Sequence, residues 1–158
     1  MPSQKENLLS DLRSTSSKKL FIPALGGIYS SLHEFAETLL RFIGGAALVT
    51  HGYGKILDPF GATGMVESLG FYPGAFWSPL LSATEFFGGI LLAIGLFTRP
   101  AAFATLIVLL VTIWFHWGVQ GQGYSGAEKS ILWSAILFFF LIRGANSQSV
   151  DAKIGRQF

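Results

Sequence analysis

Four stretches of this chain are dominated by apolar residues, and each is bounded by polar or turn-forming residues. Residues 34–57 follow a helical pattern that Asp58-Pro59 stops. A second run spans about 79–97 and a third about 101–117, separated by Thr98-Arg99-Pro100, a tight turn in which Pro100 is suited to open the next helix at its first position. After the Gly-rich turn GVQGQGYSG comes ILWSAILFFFLI, which reaches bilayer length only when extended back to Glu128. The loop between the first two runs carries Pro59, Gly61, Gly64, Gly70, Pro73 and Gly74, with a short helix expected through MVESL. Ahead of the helices, residues 1–19 read as a polar tail. Residues 20–32 read as an apolar segment broken by Pro23, Gly26 and Gly27 that lies at a membrane surface.

The polar residues inside these runs are not scattered. In the first, Glu37, Arg41, Gly44, Leu48, His51, Lys55 and Asp58 recur at three- and four-residue steps, so they share one helix face. The second repeats the device with Ser78, Leu81, Glu85, Gly88, Leu92, Gly95 and Arg99, and the third with Thr98, Ala102, Thr105, Leu109, Thr112 and His116. Small residues on such stripes let helices approach closely, and Gly44-Gly45 and Gly88-Gly89 read as packing points. Glu37 and Arg41 are expected to pair across one turn.

Composition makes lipid the natural solvent. Only 13% of the residues are charged and mean hydropathy is +0.51, whereas a soluble domain carries about 25% charged residues. The fold class that follows is all-α, an integral membrane four-helix bundle, with residues 1–32 as tail and interfacial segment, 33–145 as the four-span domain and 146–158 as a C-terminal tail. An even number of spans puts Lys5, Arg13, Lys18, Lys19, Arg99, Arg143, Lys153 and Arg156 on one side and Lys55 and Lys129 on the other. Both termini are therefore expected to be cytoplasmic. The net charge of +2 does not point to nucleic acid, because the basic residues sit at segment ends rather than on a patch with interleaved aromatics. The absence of Cys removes disulfides, thiolate metal sites and dithiol redox chemistry.

With that orientation, His51 and Glu85 lie at matching depth in the outer half of the bundle. His116 falls at the outer end of span three and Glu128 at the outer start of span four. Ionisable groups inside a membrane are costly, so function is their default reading. Glu85 and His51 are the candidate catalytic groups. Lys55, His116 and Glu128, with Trp77, Trp114 and Trp117 as flat apolar contacts, are the candidate ligand-binding residues. No metal site is expected, since neither His51 nor His116 belongs to an H-x-x-x-H pair and no Glu-x-x-His occurs. Phosphate-cradling loops, nucleophile elbows and dinucleotide fingerprints are missing as well.

The segments RFIGGAALVTHGYGKI, EFFGGILLAIGLFTRPAA and RGANSQSVD resemble the DoxX family of small four-helix bacterial membrane proteins, in order, over residues 36–152. On that resemblance Arg41, His51, Gly52, Lys55, Glu85, Gly88, Gly89, Gly95, Arg99, Ser149 and Asp151 fall on family pattern positions. It implies a multi-pass protein of the inner membrane, associated with membrane oxidoreductases and quinones, with no covalently bound cofactor and a quinone as the expected ligand. Three functional readings follow. One is a redox-associated subunit that holds a quinone or similar small apolar molecule in the outer half of the bundle, with His51 and Lys55 donating to a carbonyl oxygen and Glu85 relaying protons. Another is a non-catalytic assembly subunit with a membrane, peripheral or self-associating partner. The third is a small-solute or proton pathway.

Overall fold

The computed structural model describes residues 21–156, apart from the side chains of Pro23 and Ser30. The expected polar tail of residues 1–19 lies outside them. Two units are described separately. Residues 21–33 hold a 3-10 turn, Pro23–Leu25, and the opening of helix α1, Gly26–Leu57. The segment was expected to be broken at its glycines; instead Gly26 and Gly27 stand at the helix start, where their missing side chains cost little.

From Glu34 onwards the second unit is built of α1, a short α2 (Thr63–Ser68), α3 (Gly74–Ile94), α4 (Thr98–Trp114), a π-helical turn Phe115–Val119, α5 (Gly123–Arg143) and a short α6 (Val150–Lys153). Three helices among the described residues are long and apolar enough to cross a membrane: Gly74–Ile94, Thr98–Val119 and Gly123–Arg143. The protein is an all-α membrane protein. Helix α1 has the length, about 48 Å at 1.5 Å per residue, but its inward polar stripe lowers its hydropathy below theirs. Helix α3 begins five residues before the expected start at Pro79, which therefore lies inside the helix beyond its first turn and removes one i→i−4 hydrogen bond there. Helix α4 starts at Thr98, so Pro100 sits inside its first turn rather than at its first position.

Backbone contact at the glycine pairs holds the helices together. A Cβ at Gly45 would stand 2.5 Å from the Gly89 carbonyl oxygen, while one at Gly44 would press on Ile136 of α5. Gly88 in turn faces Thr105 of α4. Each pair therefore serves two neighbours, α1 lying against α3 and α5, and α3 against α1 and α4. Leu48, Leu92, Ala102, Leu109, Leu137 and Phe140 close the core between them.

Candidate functional site

The buried charged groups among the described residues fall into two sets toward opposite ends of the helices. At the α3–α4 corner, Gly95 ends α3 in the left-handed conformation (φ 72°). The last-turn carbonyls of Leu92 and Ala93 each accept a hydrogen bond, both 3.1 Å long, from Arg41 of α1, which also donates to the Gln148 carbonyl. Asp151 of α6 accepts from the backbone N–H of Phe97 and Thr98 and from the Thr98 hydroxyl. A cation thus caps the C-terminus of one helix and an anion caps the N-terminus of the next, each matched to the local helix dipole. Both side chains are 1% exposed. Glu37 does not pair with Arg41 as expected. It binds Arg143 of α5 at 3.2 Å, because the Arg41 guanidinium is committed to carbonyls. Asn146 donates to the Glu34 carbonyl and to Thr38, fixing the segment after α5 along α1.

At the other end the polar groups face open space. A cavity of about 590 Å³ lies among Lys55 at the end of α1, Met65, Val66 and Leu69 around α2, Trp77 to Thr84 on α3, and Ala104 to His116 on α4 and the π turn. Helix α2 is held over it by the burial of Val66 and Leu69. The Gly74 N–H also donates to Glu67, tying α2 to the start of α3. The wall is apolar except for Lys55, Thr84, Thr112 and His116. Leu80 and Ile107, 44% and 47% exposed, carry it to the apolar surface between α3 and α4. Behind Lys55 stands Glu85, buried on the α3 stripe and ion-paired to the Lys55 ammonium at 2.5 Å.

The structure therefore brings together Lys55, Glu85, Trp77 and His116 of the residues singled out in the sequence. It leaves the others apart. His51 is exposed and packs edge-to-face on Trp133 of α5, ring centroids 4.7 Å apart, instead of joining Glu85. Trp114 and Trp117 are half exposed, the latter against Tyr124, and Glu128 is exposed near the start of α5. None of these four lines the cavity.

Two further residues belong to the site and carried no signal in the sequence. Gln122 accepts a hydrogen bond at His116 Nδ1, 2.8 Å away, and donates to Gln120. Both glutamines lie in a stretch legible only as a Gly-rich turn. A π turn places them, with the Gln120 N–H bonded to the Phe115 carbonyl, and such turns recur at functional sites.

The DoxX family model matches residues 36–117. An uncharacterized protein of Haemophilus influenzae is 33% identical over 124 residues, which cover 72% of this chain and 87% of that protein. The inner membrane protein YqjF of Escherichia coli is 27% identical over 129 residues, 80% of this chain and 98% of its own length. No solved structure matches. With its glycine-paired helices and the match running from α1 through the π turn, the chain belongs to the DoxX family.

Proposed function

We propose that this protein is a redox-associated subunit of the inner membrane that binds a quinone or similar small apolar molecule in the cavity between α2, α3 and α4. The observation that carries the reading is the combination of an apolar cavity of about 590 Å³, within the range of small-ligand sites, with one ion pair at its wall. Trp77 and Phe71 supply flat contact area. Lys55 donates to a ligand oxygen, and Glu85 behind it balances the ammonium and exchanges protons with it. A quinone, when bound, supplies the two-electron chemistry; this chain's residues orient it and exclude water.

In this reading α1 crosses the membrane with its polar stripe turned inward, giving four spans and cytoplasmic termini. The inner-membrane location is in line with the name of the YqjF relative. The cavity then lies in the outer half and opens sideways to lipid, the route by which an apolar ligand arrives. Because the chain has no cysteine for a thiol relay, electrons would pass to or from a partner oxidoreductase.

Thermal unfolding in detergent tests the reading. A short-chain ubiquinone or menaquinone analogue is expected to raise the unfolding temperature of the unaltered protein and to raise it less in Lys55→Met. The absence of a shift with either analogue would count decisively against a quinone site.

A further inference from the structure

We infer that His116 makes this cavity select the hydroxyl-bearing form of a quinone-type ligand, the hydroquinone, over the carbonyl form, and that Gln122 is the positioning residue responsible. The inference rests on the binding reading above and adds which form of the ligand is recognised.

It begins with the hydrogen bonds around the imidazole. The Gln122 amide nitrogen donates to Gln120 Oε1 at 2.8 Å, so the Gln122 oxygen is the atom turned to His116. An amide oxygen only accepts. His116 Nδ1 must therefore carry the proton, and in the neutral ring Nε2 is then a bare acceptor. A second tie fixes the ring's position: the Gln122 N–H donates to the His116 carbonyl at 3.0 Å. Gly126 makes room for the arrangement, since a Cβ there would stand 2.4 Å from both Gln122 Cβ and Oε1.

His116 lines the cavity whereas Gln122 does not. With Nδ1 occupied outside, Nε2 is the ring nitrogen left for a ligand. The cavity wall thus offers a donor at Lys55 and an acceptor at His116. A quinone has two carbonyl oxygens, both acceptors, so it satisfies Lys55 and leaves Nε2 without a partner. A hydroquinone donates one O–H to Nε2 while its other oxygen accepts from Lys55. Sites with a fixed polar partner discriminate against analogues that lack the matching group.

The test compares a decyl-substituted benzoquinone with its hydroquinone, prepared anaerobically, by equilibrium binding to the full-length protein in detergent. The hydroquinone is expected to bind about tenfold more tightly. His116→Phe and Gln122→Leu should bring that ratio close to one, the hydroquinone losing about tenfold more affinity than the quinone in each variant. A loss of packing alone would weaken both forms together and leave the ratio unchanged. Imidazole 15N shifts of His116, assigned with the His116→Phe variant, should show Nδ1 protonated and Nε2 bare. Equal affinity for the two forms, a ratio that survives Gln122→Leu, or the opposite tautomer would overturn the inference while the cavity remains a ligand site. Failure of both forms to bind would overturn the inference and the binding reading together.

Discussion

The two ends of the helix bundle use buried charge in opposite ways. At the α3–α4 corner, Arg41 and Asp151 are surrounded by backbone groups that only they can satisfy, and Gly95 leaves no room for anything else. Around the cavity, Lys55 has a single carboxylate partner and a side chain still 37% exposed, while His116 has one face toward open space. The first arrangement commits Arg41 through both terminal nitrogens and Asp151 through both oxygens to fixed partners, although Arg41 Nε stays buried without one, and it holds the fold. The second keeps unused hydrogen-bonding capacity beside an apolar surface, which is what recognition of a small molecule requires. Burial of charge alone does not separate the two; the number of fixed partners does.

Breaking the Arg41–Asp151 end should give the largest effect. Asp151→Ala leaves the first N–H groups of α4 unsatisfied and removes the anion nearest Arg41, and Arg41→Met frees the α3 carbonyls. Each should cost about 3 kcal/mol or more, read as a large drop in unfolding temperature in detergent, with the ligand preference of the surviving folded protein unchanged. A smaller loss, about 1–3 kcal/mol, is expected for Gly45→Val or Gly89→Val, because the new Cβ meets backbone that has little freedom to move. If either variant is as stable as the original, α1 and α3 are not in the contact described.

At the cavity end the predicted effects are smaller and concern coupling. Glu85→Gln and Lys55→Met should each lower stability by about 1 kcal/mol, and the double variant should recover part of the loss, because either single change leaves one group without its counterpart. Simple addition of the two effects would mean that the pair does not act as a unit. His51→Phe should be the mildest, below about 1 kcal/mol and without effect on ligand binding, since the residue lies on Trp133 away from the cavity. A ligand-binding defect in that variant would place the site on the α1–α5 side.

Much of this was legible in the periodicity. The stripes on α3 and α4 do face inward: Ser78, Glu85, Gly88, Leu92, Thr98, Ala102, Thr105 and Leu109 are all buried. Matching depth pointed from Glu85 to His51 and the α1 face it shares with Lys55, and it is Lys55, one turn further along, that makes the ion pair. His51 was misplaced by about one residue of helix phase. The line buried against α3 runs through Gly45, Leu48 and Gly52, and a Cβ at Gly52 would stand 2.7 Å from the Phe86 amide nitrogen. Close approach at a glycine draws α3 to that side and turns the adjacent His51 toward α5. The role of Asp151 had no local signature, because its partners are 53 and 54 positions away in the chain. Gln122 was hidden for a different reason: its effect depends on a π turn, and no hydrophobic period announces one.

The central claim, that the cavity between α2, α3 and α4 is the ligand site, is tested most directly by photolabelling the protein in membranes with an azido-substituted quinone analogue and mapping the modified residues. Labelling is expected within residues 65–84 and 104–116, to be reduced by excess unlabelled analogue, and to weaken in Lys55→Met. Competable labelling concentrated instead around His51 and Trp133, or spread evenly over the lipid-facing helix surfaces, would contradict it.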